Sequence, residues 1–151
     1  MVRIKRVSSQ QQLKQAFAIR MRVFVREQGV PAEIELDSDD APAIHLLATL
    51  SGKAVGTARI VMRRGSAKIG RMAVVKTYRR QGIGNKLLVR AIATARRGGA
   101  RKLYLPAQVP VIGFYEAAGF RCVGAVFDEA GIPHRKMILP DTSKTGGNSH
   151  L

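Results

Sequence analysis

Between residues 66 and 97 the hydrophobic period of this chain changes from two to about 3.6, and two glycines, Gly82 and Gly84, stand at the junction. A run of strand character from Ser66 to Val75 passes through Lys76-Thr77-Tyr78-Arg79-Arg80-Gln81 into Gly82-Ile83-Gly84-Asn85-Lys86. From Ile83 onward Leu87, Leu88, Ala91, Ile92 and Ala95 fall on one helical face, which Gly98-Gly99 ends. A strand that turns through glycines into an amphipathic helix needs a sheet to cover the helix's apolar stripe, so a layered α/β arrangement follows. The turn is also a natural anion site. A helix N-terminus offers unpaired N–H groups and the positive end of its macrodipole, and glycine lets a ligand approach the backbone closely.

The same region is basic. From Arg59 to Lys102 there are fourteen Lys and Arg residues and no Asp or Glu, whereas residues 1–58 hold eight against six and residues 103–151 four against four. Fourteen of the sixteen net positive charges are therefore local. An anionic partner follows, which could be nucleic acid, a membrane surface or a phosphorylated small molecule; charge alone does not choose. At 151 residues and 46% hydrophobic content, one domain with a core needing neither disulfide nor metal is expected. No apolar run approaches the roughly 18 residues of a membrane span, and MVRIKRVSSQ lacks a secretory apolar stretch, so a soluble, cytoplasmic protein with no membrane partner is expected. Cys122, the only cysteine, lies in the apolar run RCVGAVF and reads as a small core hydrophobe.

Elsewhere, residues 2–7 alternate as a strand, and Ser8 or Ser9 can cap a helix over about 9–28, with Leu13, Phe17, Met21, Phe24 and Val25 on its apolar face. An acidic loop carries Glu33, Glu35, Asp37, Asp39 and Asp40. Strands are expected over 45–50 and 54–62, joined by Ser51-Gly52-Lys53, then over 66–75, 102–106, 120–127 and 134–139, with a short helix over 111–118. The polar tail from Pro140 is expected to be disordered.

Two familiar phosphate motifs fail on spacing. The dinucleotide pattern G-x-G-x-x-G needs glycine where Leu87 stands, and a P-loop needs Gly-Lys-Ser/Thr where the chain has Gly84-Asn85-Lys86. What is present, Arg79-x-x-Gly82-x-Gly84 between a strand and an amphipathic helix, resembles motif A of the GNAT N-acetyltransferase superfamily. Phe114-Tyr115-Glu116-Ala117-Ala118-Gly119-Phe120 resembles that family's second hallmark, a helix with a tyrosine ending in Gly-Phe. Three further segments are similar to a group of small bacterial members. They are Val23 to Pro31 leading to Glu35, Asp37, Asp40 and His45; Leu105-Pro106-Ala107-Gln108; and Glu129 to His134 with Met137. The likeness covers roughly residues 3–139.

The resemblance implies a GNAT fold of the α/β (α+β) class: a mixed, mostly antiparallel sheet of about seven strands, helices on both faces, in the order β-α-β-β-β-α-β-α-β-β. Residues 1–139 would form one acetyltransferase domain. It implies acetyl-CoA as cosubstrate and no metal, bound where the strand before motif A splays from the strand after its helix. Backbone groups of Met72, Ala73 and Val74 would meet the pantetheine arm and acetyl carbonyl. Gln81, Gly82, Ile83, Gly84 and Asn85 would wrap the pyrophosphate, with Arg79, Arg80 and Lys86 adding charge, and Gln108 would stand at the opposite strand end.

Acetyl transfer to an amine needs a neutral nucleophile, a stabilised tetrahedral oxyanion and a proton for the departing thiolate. Tyr115 is the candidate for the proton. An ordinary tyrosine titrates near 10 and a thiol near 8.5, so full transfer is uphill by about 1.5 units, roughly 2 kcal/mol, and a nearby Lys or Arg would lower it. Many GNAT enzymes use a glutamate on the strand before motif A, which the acid-free stretch excludes here. The base is then sought among Glu33, Glu35, Asp37, Glu129, His134 or a water chain, His134 having a suitable unperturbed value near 6.5. Glu33, Glu35, Asp37 and His45 are candidates for holding a cationic acceptor, and His45 is expected to hydrogen-bond near Asp37 or Asp40.

The leading expectation is an N-acetyltransferase acting on a primary amine of a small-molecule or peptide acceptor. The alternative is a non-catalytic nucleic-acid-binding protein, or an acetyltransferase acting on an RNA- or ribosome-associated amine. Against it, no nucleic-acid motif is present and aromatics are only 5%. A homodimer stays open as an assembly.

Overall fold

The structure is a computed structural model and describes residues 1–140; the expected tail beyond Pro140 lies outside the described residues. Seven strands form one sheet: β1 (Val2–Arg6), β2 (Ile44–Leu50), β3 (Lys53–Arg63), β4 (Ser66–Val74), β5 (Lys102–Gln108), β6 (Arg121–Glu129) and β7 (Ile132–Leu139). Their order is β1-β2-β3-β4-β5-β7-β6. Only β4 and β5 run parallel, as a strand–helix–strand crossover requires; the other pairs are antiparallel.

The long helix α3 (Ile83–Arg97) covers one face, where Leu87, Leu88, Ala91 and Ala95 join Val55, Ile60, Ile69, Leu103 and Met137 in the larger core. Its approach to β3 depends on Gly56. A Cβ there would stand 3.0 Å from Leu87 Cδ1 and 3.2 Å from the Ala73 carbonyl oxygen. Cys122 is half-buried against this core rather than enclosed in it.

The other face carries α1 (Gln10–Arg20), capped by Ser9, whose hydroxyl accepts from the Gln12 amide at 3.1 Å. The helix continues as a π-helical segment, Met21–Glu27, followed by the short α2 (Ala32–Glu35) inside the expected acidic loop. The face of this helix differs from expectation. Ala16, Ile19, Arg20 and Val23 are buried, and Leu13, Phe17, Met21, Phe24 and Val25 are half-buried. Arginine on the buried stripe hides it from a hydrophobic-pattern reading, because a guanidinium scores as surface unless its partners are known. The remaining helix, α4 (Ile112–Glu116), is shorter than expected and leads to Gly119, whose φ is +101°.

A bulge interrupts β4. Thr57 pairs with Ala73 but Arg59 pairs with Gly70, so Arg71 and Met72 together oppose Ala58. Arg71 has φ +46°, a left-handed conformation that a non-glycine residue adopts at a cost of about 1–2 kcal/mol. One extra residue reverses the alternation. Before it Ala67 and Ile69 face α3, and after it Met72 and Val74 do, while Ala73 joins the smaller core under α1.

Candidate active site

β4 and β5 pair only at Ser66–Lys102, Ala67–Leu103 and Lys68–Tyr104. Beyond these they separate, because the bulge bends β4 while β5 pairs through Gln108 with β7. The gap opens into a cavity of about 850 Å³. Met72, Ala73 and Val74 line one wall, Pro106 and Gln108 the other, and Arg79, Arg80, Gly82, Ile83, Gly84 and Asn85 the end at α3. Gln81 and Lys86 are exposed beside this end without lining it.

The turn before α3 is shaped for an anion. Arg80 (φ +64°) and Gly82 (φ +80°) both take the left-handed region, and Gly82, the N-cap, brings no side-chain oxygen to the first amides of the helix. Those amides stay available where the dipole is positive. Arg79 is tied to protein before it meets any phosphate: its guanidinium donates to both Glu27 carboxylate oxygens at 2.6 and 2.7 Å and to the Val74 carbonyl at 2.8 Å. It braces the turn against the end of the π-helical segment.

Tyr115, Glu129 and His134 all line the cavity. Tyr115 packs edge-on against Phe114 and Phe120. Burial alone pushes its hydroxyl up to about 12, which corrects the expectation that neighbouring cations would lower it. The hydroxyl therefore keeps its proton throughout the neutral range. His134 is buried, stacked on Phe127, and its Nδ1 lies 2.6 Å from the Ile132 carbonyl oxygen. A carbonyl can only accept, so Nδ1 carries a proton, and in the neutral ring Nε2 holds the lone pair. Opposite His134 in the β5–β7 register is Gln108, whose amide nitrogen donates to Gln28 Oε1 at 2.8 Å across the cavity.

At the far end of the cavity lies an arrangement that sequence reasoning missed. Arg20, fully buried, donates to Glu35 Oε2 at 3.1 Å and to Asp40 Oδ1 at 2.7 Å. Arg59, also buried, donates to Asp37 Oδ1 at 2.7 Å and Asp40 Oδ1 at 3.1 Å. From the β4 bulge, Arg71 reaches Glu35 Oε2 at 3.0 Å and Asp37 Oδ2 at 3.1 Å. Burial pushes the Asp40 carboxyl up, but hydrogen bonds from Arg20, the Asp37 amide and Arg59 outweigh it and hold the group at about 2. For Glu35 burial wins over Arg71 and Arg20, and its affinity for a proton is raised. Three arginines thus face three carboxylates. The signal available in sequence was an arginine at helical spacing from Ala16, Ile19 and Val23, with the acids downstream.

Of the four residues considered for the acceptor, Glu35 and Asp37 line the cavity while bound to these arginines. Glu33 is exposed outside it. His45 is buried in a separate recess, its Nε2 2.9 Å from the Asp40 carbonyl oxygen, the structural hydrogen bond anticipated for it. Among the described residues no group of three His, Cys, Asp or Glu is arranged to hold a metal, and no helix is long and apolar enough to cross a membrane.

Residues 5–140 match the family model described as an acetyltransferase (GNAT) domain. The uncharacterized N-acetyltransferase YjcF of Bacillus subtilis is 37% identical over 131 residues, 86% of this chain and 94% of that protein. The crystal structure of an acyl-CoA N-acyltransferase from Pseudomonas aeruginosa superposes with a TM-score of 0.81 at 30% identity, covering 92% of this chain and 98% of that one. A GNAT family acetyltransferase from Elizabethkingia anophelis, solved with acetyl-CoA bound, shares the fold (TM-score 0.72, 17% identity, 92% and 97% covered). With the splayed strands, the glycine turn and the tyrosine helix in one cavity, these likenesses settle the family: the chain belongs to the GNAT acetyltransferases, enzymes that transfer an acetyl group from acetyl-CoA.

Proposed function

We propose that the acceptor is a primary amine, entering the cavity from the side of Glu129, Asp37 and Asp39, and that Tyr115 and His134 manage the protons of the transfer. The observation that carries this reading is the fixed tautomer of His134, which leaves Nε2 able to take a proton inside the same cavity as Tyr115. The acceptor nitrogen loses its proton to His134 and forms the C–N bond; the C–S bond breaks, and the departing thiolate takes the Tyr115 proton. With Tyr115 near 12 and a thiol near 8.5, complete transfer is uphill by about 3.5 units, roughly 5 kcal/mol, which fits within the barrier of a reaction turning over at ordinary rates. The tyrosine acts first as a hydrogen-bond donor to the developing thiolate.

The cosubstrate fits the residues present. The uncapped amides after Gly82, with Arg80 beside them, suit its pyrophosphate, and Met72, Ala73 and Val74 offer an open strand edge to its pantetheine arm. Gln81 and Lys86 add polar and positive groups outside the turn. Glu129, half-buried in the β6–β7 hairpin and without an ion-pair partner among the described residues, meets the acceptor, whereas Glu35 and Asp37 act mainly through their arginines.

Tyr115→Phe is expected to lower kcat about 100-fold with the KM for acetyl-CoA unchanged, read by release of free thiol across a panel of amines. Unchanged turnover removes Tyr115 from the chemistry. His134→Asn should lower kcat with the KM for acetyl-CoA unchanged, and such a loss on Glu129→Gln alone transfers the base role to Glu129.

A further inference from the structure

The cosubstrate site leaves most of the basic stretch unused, and the fold gathers the remainder at one pole. The turn between β3 and β4 (Arg64-Gly65) packs on the start of β5: the amides of Arg101 and Lys102 both donate to the Gly65 carbonyl, at 3.0 and 3.3 Å. Immediately before them α3 ends in Arg96 and Arg97, with Gly98 against the Met62 side chain. Arg64, Arg97, Arg101 and Lys102 are therefore neighbours, all exposed. Arg90, two turns earlier on the same face of α3 as Arg97, extends the group along the helix toward the glycine turn. α3 spans about 22 Å, so the pole stands roughly that far from the cosubstrate's phosphates.

None of these five cations is within ion-pair distance of a carboxylate among the described residues. Beside this pole, Asp39 meets Arg63 at 3.7 Å. Complementing a helix C-terminus needs one or two cations, which Arg96 and Arg97 supply. The remaining charges repel one another.

We propose that this pole is a docking surface for the phosphate backbone of a nucleic-acid duplex, independent of the acetyl-transfer site. Four of the five groups are arginines, whose planar guanidinium pairs with phosphate in a bidentate way. Val89 is the only large exposed apolar residue on the adjoining helix face, and the pole has no exposed aromatic ring. That leaves no platform for stacking single-stranded bases and no apolar wedge for a membrane. Nor does it carry Asn or Gln side chains to read adenine edges, and the spread of cations over the pole suits contacts to the backbone.

The test is fluorescence anisotropy of the full-length protein with RNA and DNA duplexes of about 20 base pairs, at about 50 and 200 mM salt. Both duplexes should bind, with affinity falling about 500-fold between those salts if about five phosphates are engaged. Combining Arg64→Gln, Arg97→Gln, Arg101→Gln and Lys102→Gln should weaken binding at least about tenfold at low salt, while the thermal shift on adding acetyl-CoA is retained. The pair Arg64→Gln and Arg101→Gln, which leaves α3 untouched, should give a smaller loss in the same direction. The proposal is overturned if neither duplex binds, if binding is insensitive to salt, or if the combined variant binds as before. It is also overturned if polyglutamate displaces the duplex charge for charge, which identifies an acidic protein as the partner, or if anionic vesicles bind where duplexes do not.

Discussion

Arg59 and Arg71 belong to the same acid-free stretch as Arg64, Arg90, Arg97 and Arg101, yet the fold uses the two sets in opposite ways. Arg59 and Arg71, joined by Arg20, turn inward and meet Glu35, Asp37 and Asp40 from the loop before β2. The others stand at the surface with no carboxylate within ion-pair distance among the described residues. In sequence, Arg59 is nineteen and twenty-two residues from its carboxylates, Asp40 and Asp37, so a local charge count assigns it to the basic belt. Pairing is a tertiary fact. The inward set ties α1, the loop, β3 and the β4 bulge together, and it holds Arg71 in a left-handed conformation that would otherwise be disfavoured. A buried ion lattice is seldom more stabilising than apolar packing of the same volume, but removing one member leaves buried charges short of a partner.

That difference has measurable consequences. The largest is for Arg20→Ala, expected to destabilise the fold by about 3–5 kcal/mol in urea unfolding, since Glu35 and Asp40 would lose a partner they share with no solvent. A loss under about 1 kcal/mol would mean that the lattice is not the organising element.

Acid should separate the two sets next. Asp40 is depressed in the folded state, so its contribution is fully present above the ordinary value of 3.8 and is lost as pH falls through about 2. The expected loss over that window is on the order of 2 kcal/mol, and Asp40→Asn should abolish this part of the pH dependence while lowering stability at neutral pH. Glu35 has the opposite sign. Its raised proton affinity makes acid slightly favourable to the folded state, so Glu35→Gln should steepen the acid loss. A wild-type stability curve flat between pH 4 and 2 would break the contrast.

The smallest effect belongs to the surface set. Arg97→Ala should change stability by less than about 0.5 kcal/mol, and added salt should raise the melting temperature of the wild type by screening the unpaired cations. A loss comparable to that of Arg20→Ala would show that the pole is structural.

Much of the scaffold was legible because it rests on short-range regularities. The strand-to-helix switch at Gly82 and Gly84, the apolar face of α3 and the Ser9 cap depend on neighbours within a turn or two, and each stands where expected. The bulge at Arg71 and Met72 left no such mark, since a one-residue slip changes pairing without changing residue types. For the same reason Arg20 could not be placed in the core. Within the site, the cavity wall at Met72 to Val74 and the positions of Tyr115, Glu129 and His134 followed from the family resemblance. The binding of Arg79 by Glu27, 52 residues away, did not.

What the sequence by itself determined is the order of elements, the glycine turn that opens α3, the excess of positive charge and the family. These are properties of local pattern and composition, which survive without knowing who touches whom. Only the tertiary structure decided which arginines are neutralised, which face of α1 is buried, how the bulge parts β4 from β5, and that burial holds the Tyr115 proton tightly. Each depends on groups far apart in the chain sharing a low-dielectric space, and the energy of a charge or a hydroxyl is set by that company rather than by its place in the sequence.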